Sequence, residues 1–321
     1  MSGAFHPSVH AATAPDRLAV VMPSTGQSRT YAELEANSNR IAAMLRSRGL
    51  QRGDVVAVVM PNDPAWFEIV WGVQRCGMYL VPVNWHLAAK EAAYIVADCD
   101  AKALIASAEL ADTIASLGDA ADNVELRFSI GGPLPGFESL EDAIAGQPDT
   151  ASPDDVEGSW MFYSSGTTGV PKGIKPQLPT IGFGDMNPLV GLISGLYGFT
   201  PESTYLSPAP LYHAAPAGWT TTVHRIGGTV VVMDRFDPLE WMRLVEEHKV
   251  THTQMVPTYL VRLLKLADAT RARYDLSSLQ MVVHAAAPCP PEVKRAAIEW
   301  LGLIVYEYYA ASEGTGFCAI G

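Results

Sequence analysis

YSSGTTGVPKGI, residues 163–174, is the stretch on which the reading of this chain turns. After Tyr163 come six consecutive residues that are Ser, Gly or Thr, and Lys172 follows a proline. Composition alone leaves two readings: a flexible surface linker, or a loop that holds phosphate. Phosphate oxygens carry dense charge, and proteins hold them with backbone N–H groups, hydroxyls and a cation. The stretch supplies all three. Gly166, Gly169 and Gly173 allow close backbone approach and positive φ. Ser164, Ser165, Thr167 and Thr168 are hydroxyl donors, and Lys172 is a mobile point charge. It is not a P-loop, because Gly173 stands where GxxxxGK[ST] needs a hydroxyl residue, and GxGxxG does not occur here. A linker has no need of the apolar strand expected over residues 160–163, nor of Pro171-Lys172-Gly173 closing it.

Outward from this loop, helix and strand patterns alternate. Thr30-Tyr31-Ala32-Glu33 has capping-box spacing, Leu34, Ile41 and Leu45 follow at helical spacing, and Gly49 sits at the helix C-terminus. Residues 54–60, DVVAVVM, form a continuous apolar run, the pattern of a strand buried on both faces. A helix over 64–76, a strand over 78–83, a helix over 88–98 and a strand over 103–106 continue the rhythm. Residues 131–155, rich in Gly, Pro, Asp and Ser, read as a loop or a seam between lobes. Beyond 185 a helix to about 197 is expected. Strands follow at 204–207 and 229–233, and a helix starts at Phe236-Asp237-Pro238 and runs to about His248. A strand at 251–256, a helix at 258–266, a strand at 281–284, a helix at 291–300 and a strand at 304–308 complete the series. The opening residues read as an irregular arm, and no internal repeat is visible. The class is α/β.

The 321 residues suffice for a large core or two lobes. Apolar residues make up 48% and charged ones 17%, the balance of a packed protein rather than a disordered one. The formal charge of −12 argues against wrapping nucleic acid, whose phosphates need clustered Lys and Arg. It leaves room for a small anionic ligand. No apolar run is long enough to span a membrane, and the N-terminus lacks the pattern of a signal peptide. The four cysteines, Cys76, Cys99, Cys289 and Cys318, have no CxxC spacing, which fits a reducing cytoplasm better than a zinc site or a disulfide framework.

The quoted stretch resembles the phosphate-binding signature of the adenylate-forming enzymes: acyl-CoA synthetases, aryl-CoA ligases, luciferases and non-ribosomal adenylation domains. Three further segments agree in order. Ala209-Pro210-Leu211-Tyr212-His213 is similar to the family's PLYH segment, which precedes a helix. His284 followed by Ala285, Ala286, Ala287 and Pro288 is similar to its adenine-site segment GGAP. Residues 306–313, YEYYAASE, resemble YGxTE. Tyr31-Ala32-Glu33-Leu34 and the strand-rich residues 54–83 also fit, so the resemblance covers nearly the whole chain. Tyr212 and His213 look more like the acyl- and aryl-CoA synthetases than the luciferases.

The resemblance implies a ligase with two half-reactions. A carboxylic acid attacks the α-phosphorus of ATP and releases pyrophosphate, and a thiol, usually that of CoA, then attacks the acyl-adenylate. The implied cofactors are ATP, Mg2+ and CoA as co-substrate, and the setting is fatty acid metabolism in the cytoplasm. Residues Ser164, Ser165, Gly166, Thr167, Thr168 and Gly169 with Lys172 would close over the β- and γ-phosphates. Ser312 would hydrogen-bond the α-phosphate, and Glu313 would bind magnesium. His213 would lie beside the carboxylate and thiol path as a positioning residue. Ala285, Ala286, Ala287 and Pro288 would let adenine lie against the backbone, with Tyr308 or Tyr309 stacking on the ring. Each role has a plainer counterpart: a solvated surface charge for Glu313, a turn cap for Ser312, a core histidine for His213, and turn packing for residues 285–288. Gly182, Phe183, Gly218, Ala310 and Ala311 would admit a fatty or bulky hydrophobic acid.

The departures from the family pattern also carry expectations. If Tyr308 is the first tyrosine of YGxTE, Tyr309 replaces a glycine. Ser312 replaces the usual Thr and keeps the hydroxyl. The family's ribose-binding aspartate, its catalytic lysine and the hinge to its C-terminal domain belong to segments beyond residue 321. The fold implied is two doubly wound αβ lobes of the large N-terminal adenylate-forming domain. Their approximate extents are 1–175 and 176–321, with interleaving allowed. By the same resemblance the β-barrel part would be incomplete and the C-terminal domain absent, as expected of an expression fragment, a proteolysed product or a disrupted gene. Weak ATP binding and little complete acyl-CoA synthesis are expected of this chain alone. Exposed core edges add an expectation of self-association, for instance as a homodimer. Two alternatives stand beside the synthetase. One is a non-catalytic fragment that binds acyl groups or pairs with another copy. The other is an amidase, which would need a second serine and a lysine in its own pattern that are not found, or a serine hydrolase, poorly supported because GxSxG is missing.

Overall fold

In a computed structural model, the structure of the chain describes residues 4–164, 171–311 and 316–320. It divides into two compact units. The first comprises residues 1–16, 30–186 and 211–214, and the second residues 17–29, 187–210 and 215–321. Strands β1 (Leu18–Met22) and β2 (Gln27–Thr30) go to the sheet of the second unit. The first unit holds β3 (Val55–Val59), β4 (Tyr79–Pro82), β5 (Ala103–Ser107), β6 (Leu126–Ile130), β7 (Glu138–Ser139) and β8 (Ser159–Trp160). It also holds a separate ribbon, β9 (Phe162–Ser164) and β10 (Lys172–Ile174). The second unit continues with β11 (Thr204–Ser207), β12 (Thr229–Val232), β13 (His252–Met255), β14 (Met281–His284), β15 (Val305–Ala310) and β16 (Phe317–Ile320).

The first sheet has the order β7-β6-β5-β3-β4-β8, and every pairing in it is parallel. Parallel strands are covered on both faces, which is why β3 is apolar and buried at every position. Val55, Ala57 and Val59 pack with Ala92, Ile95 and Val96 of the helix Ala89–Asp98. Val56 and Val58 point the other way and are equally buried. The helix Tyr31–Ser47 begins with the expected capping box, Thr30 with Glu33, and ends before Gly49 at φ 87°.

The second sheet has the order β16-β15-β14-β13-β11-β12-β1-β2, parallel from β1 through β15, with β16 antiparallel to β15. One face carries the helices Pro238–Glu247, Pro257–Leu264 and Pro291–Leu301, with Leu206, Trp241, Leu260 and Ala297 in its core. Tyr205 alternates with Leu206 and stacks on Trp219 of the helix Ala214–Ile226, so the other face is covered too. The two sheets repeat one winding order. In each, a first strand gains its successor on one side, and the next three strands build outward on the other: β3, β4, then β5 to β7, and β11, β12, then β13 to β15. This is the doubly wound α/β class expected from the alternation, and each sheet reverses direction beside its first strand.

Several local expectations are corrected. The opening arm contains a helix, Pro7–Thr13, and strand β1, whose Val20 and Val21 pair with Val230 and Val231. Residues 160–163 are not one strand: β8 joins the six-stranded sheet and β9 the ribbon, with buried Met161 between them. Residues 131–155 lie inside the first unit and include β7 and the helix Leu140–Ile144. Asp149 and Asp155 there pair with Arg40 and Arg46 at 2.8 and 2.9 Å. The helix Pro238–Glu247 buries Trp241, Met242, Leu244 and Val245, while Leu239 near its start is exposed.

Candidate active site

In the first unit the quoted stretch is an antiparallel ribbon. Lys172 is the cross-strand partner of Ser164, Gly173 of Tyr163, and Ile174 of Phe162. The hydroxyl and the ammonium that bracket the Ser/Gly/Thr run thus stand opposite each other, with Lys172 exposed. A Cβ on Gly173 would come within 2.8 Å of Met161 Cε and 2.9 Å of the Tyr163 ring, so close packing demands glycine there. Its φ is not positive, which corrects half of the reason given for it. Tyr163 anchors the ribbon: its hydroxyl donates to Asp98 Oδ2 at 2.6 Å, and burial, then Asp98, push its pKa up. Ser165, Gly166, Thr167, Thr168 and Gly169 lie outside the described residues.

The PLYH segment starts from an anchor that sequence reading missed. Asn62, just past the end of β3, accepts from the backbone N–H of Leu211 at 2.9 Å. Tyr212 meets His213 edge-on at 4.6 Å and His86 at 6.3 Å, and His86 stacks on Trp85. His213 keeps an open face to solvent, but the groups crowding it, and then the His86 imidazole, hold its pKa below the ordinary value. It is therefore a neutral ring at pH 7, able to donate one hydrogen bond and accept one. Gly182 and Phe183 belong to a turn in this unit. Asp185 accepts from the N–H of Gly182, and Phe183 packs against His6 at 4.3 Å.

In the second unit residues 285–288 leave the carboxyl end of β14. Ala285 is buried and donates to Met255 O at 3.1 Å. Ala286, Ala287 and Pro288 are exposed, and Ala286 has φ 71°, a left-handed conformation unusual for a residue with a Cβ. On the neighbouring strand β15, His284 pairs with Glu307, the last pair of that register, and Tyr308 and Tyr309 follow. The two tyrosines differ sharply. Tyr308 stacks on Trp219 at 5.9 Å and on Phe317 at 4.9 Å, and its hydroxyl accepts from Trp219 Nε1 at 3.3 Å. Tyr309 is 77% exposed. Counting back from Glu313, the five-residue YGxTE spacing also puts the tyrosine at 309 and the glycine position at Ala310. Ser312 and Glu313, like Ala311's successors through residue 315, lie outside the described residues.

Two further features were not foreseen. Beneath the small-residue segment, fully buried His284 stands 3.9 Å from Glu307, which Lys294 pairs at 3.0 Å, and burial lowers the imidazole pKa. Trp219 gathers Tyr197, Phe199, Tyr205 and Tyr308 around it. Nucleophilic cysteine chemistry finds little support: burial pushes Cys76 up to about 11 and Cys99 up to about 12, so both stay thiols at neutral pH. Among the described residues no group of three or more His, Cys, Asp or Glu could hold a metal ion, and no helix is long and apolar enough to cross a membrane.

Comparison with known proteins gives these segments a common frame. The AMP-binding enzyme family matches residues 8–321. A feruloyl-CoA synthase from Amycolatopsis sp is 33% identical over 293 residues, covering 90% of this chain and 55% of that protein. The long-chain-fatty-acid–CoA ligase FadD13 of Mycobacterium tuberculosis is 28% identical over 311 residues, covering 95% and 59%. The chain therefore spans little more than half the length of these curated relatives. The inhibitor-bound N-terminal domain of FACL13 from M. tuberculosis superimposes with a TM-score of 0.80 at 25% identity, over 96% of this chain and 75% of that one. With its parallel α/β sheets and a family match over almost its full length, the chain belongs to the AMP-binding enzymes.

Proposed function

We propose that this chain is the nucleotide-engaging part of an enzyme that activates a carboxylic acid through an acyl-adenylate to an acyl-CoA thioester. The observation that carries the reading is the β9–β10 ribbon, which sets Ser164 opposite Lys172 at the two ends of the Ser/Gly/Thr run. In the first half-reaction a carboxylate oxygen forms a bond to the α-phosphorus, and the bond to the β-phosphate breaks to release pyrophosphate. In the second, a thiolate attacks the acyl carbon and AMP leaves. Negative charge builds on phosphate oxygens in the first step, and fixed donors aimed there lower its barrier. Lys172, Ser164, Ser165, Gly166, Thr167, Thr168 and Gly169 take that role toward the β- and γ-phosphates, and Ser312 toward the α-phosphate.

Adenine would lie on the exposed small residues Ala286, Ala287 and Pro288, with Tyr309 rather than Tyr308 stacking on it, because Tyr308 already stacks with Trp219 and Phe317 while Tyr309 is exposed. Neutral His213 orients the acid without adding charge. Glu313 is the residue assigned to magnesium, whose liking for one carboxylate plus phosphates and waters suits a site without a protein cage. The acid is a hydrophobic one, in line with the feruloyl and long-chain fatty acyl groups named for the two relatives. CoA is the thiol acceptor, and a reducing cytoplasm fits four free cysteines. Self-association is part of the proposal, since β16 is an edge strand among the described residues and Ile320 is 62% exposed.

Titration of the chain with ATP and magnesium tests the reading. Lys172→Ala, Glu313→Gln and Tyr309→Ala should each weaken binding about tenfold or more, a loss of about 1.4 kcal/mol. ATP binding untouched by all three would overturn the site assignment. No binding of ATP or of an acyl-adenylate analogue would favour a non-catalytic fragment. Sedimentation velocity reads the self-association directly.

A further inference from the structure

Asp98 is the last residue of the helix Ala89–Asp98 in the first unit, a place that disfavours a carboxylate. It meets the negative end of the helix dipole, no basic residue stands in the last turn, and Asp100 follows closely with a second negative charge. Among the described residues its partners are two phenols rather than a cation. Oδ2 accepts from the Tyr163 hydroxyl at 2.6 Å, and Oδ1 from the hydroxyl of Tyr94 on the same helix at 3.0 Å. The first contact has the short length of a charge-assisted bond. The second occupies the other oxygen, so the carboxylate is held in one orientation and Oδ2 has a set direction. Burial, and then Asp98, raise the pKa of the Tyr163 phenol, which keeps it a donor at neutral pH.

The bond matters because of what the ribbon lacks. β9 and β10 pair with each other and share no ladder with the six-stranded sheet. Just before the ribbon, the Met161 N–H donates to Leu80 O at 3.0 Å. Just after it, the Tyr79 hydroxyl donates to Pro176 O at 2.6 Å. Among the described residues, the Tyr163 hydroxyl makes the one side-chain hydrogen bond from the ribbon itself to the body of the unit. The Tyr163 ring also lies against Gly173 on the partner strand, where a Cβ would come within 2.9 Å of it. Tyr163 adjoins Ser164, and Gly173 adjoins Lys172. A ring fixed at Asp98 therefore holds the strand positions of the hydroxyl and the ammonium together.

We propose that Asp98 is a positioning residue for the triphosphate. Through the Tyr163 hydroxyl it sets the angle at which the ribbon leaves the first unit, and with it the places of Ser164 and Lys172. The inference rests on the phosphate-holding role proposed above for the ribbon. Asp98 touches no nucleotide; it acts through Tyr163 on groups that meet the β- and γ-phosphates. Loss of the bond should therefore separate ATP from AMP, which lacks those two phosphates. A loss of fold would weaken both nucleotides alike.

The test measures the affinity of the full chain for ATP and for AMP, each with magnesium, by calorimetry. Tyr163→Phe keeps the ring and its packing on the core and removes the hydroxyl. It should weaken ATP about tenfold, because a small misplacement of a positioning group suffices for that, and leave AMP within about twofold. Asp98→Ala should do the same. The double variant should lose no more than either single one, because both break one bond. In the unliganded chain, amide exchange over residues 162–164 and 172–174 should quicken in Tyr163→Phe while β3 to β5 stay as in wild type. Lys172→Ala separates the two readings. If it weakens ATP but Tyr163→Phe does not, the positioning role fails and the phosphate site stands. If it leaves ATP unchanged, or if the wild-type chain binds no ATP, the phosphate reading fails and the positioning role falls with it. Equal losses of ATP and AMP, or additive losses in the double variant, would also overturn the proposal.

Discussion

In the first unit the carboxyl end of β3 runs into Asn62, whose side chain holds the backbone of Leu211. In the second unit the carboxyl ends of β14 and β15 open instead onto exposed Ala286, Ala287 and Tyr309. The two sheets share one winding order, so topology does not produce the difference. Side-chain choice does: an amide at one strand end ties down a loop, while the small residues and the Tyr309 ring at the other stay exposed. The units also differ in their buried charge. The first centres on Arg75, fully buried and held by Glu35 at 2.8 and 2.9 Å, with Asp155 3.7 Å away. The second carries histidines whose environments keep them neutral: His248, His252 and His284.

The sharpest way to break this symmetry is Arg75→Ala. It leaves Glu35 without its buried partner, while Asp155 keeps Arg46, and should cost about 3–5 kcal/mol. Hydrogen exchange should report the loss in β3 to β6 and leave β11 to β15 close to wild type. Equal loss in both sheets would mean that the units do not unfold separately.

Acidification should act the opposite way. Each of the three histidines has a folded pKa held below the usual value of about 6.5, mainly by burial. In the window below that value the unfolded chain binds more protons than the folded one, so stability falls as pH drops. The penalty is absent above the unfolded pKa and complete below the folded one. The first unit has His213 with the same sign, so protection factors should fall more in the second sheet between pH 7 and pH 5, once intrinsic exchange rates are divided out.

Smaller effects separate the two adjacent tyrosines. Tyr308→Phe removes the acceptor of Trp219 Nε1 and should cost about 1 kcal/mol in urea unfolding. Ala286→Gly relieves a left-handed backbone and should gain up to about 1 kcal/mol, read as a raised Tm. Tyr309→Ala should leave stability within about 0.5 kcal/mol, since its ring is mostly in solvent, while weakening nucleotide binding.

Much of this was legible beforehand because apolar runs such as 54–60 can satisfy only a doubly covered strand, and because caps such as Thr30 with Glu33 are local. The helix Ala214–Ile226 was not legible from periodicity. It contains Pro216, Gly218 and three consecutive threonines, all poor helix formers. Burial holds it, and each threonine hydroxyl bonds back to a carbonyl four residues earlier at 2.7 Å. Only the resemblance of 209–213 to PLYH placed a helix there. Strand β1 was hidden for another reason: its partner β12 is remote in sequence, and a short LAVVM run offers no local signal of pairing. In the site, the motif named Tyr308 and Tyr309 together, and periodicity could not tell that Trp219 and Phe317 stack on the first while the second stays exposed, because both partners are remote in sequence or follow later.

That remote pairing also governs the order of assembly. Thr229 Oγ1 donates to Leu18 O across 211 residues of sequence. β1 is synthesised well before its neighbour in the sheet, which follows only after residues 30–186 have passed. Those residues have all their own strand partners and can collapse first. Until then Ala19, Val20 and Met22, which end up almost fully buried, wait in an unpaired apolar segment. Non-local parallel pairing is slow and leaves such segments open to wrong partners. In this sheet, therefore, the order of synthesis is not the order of assembly.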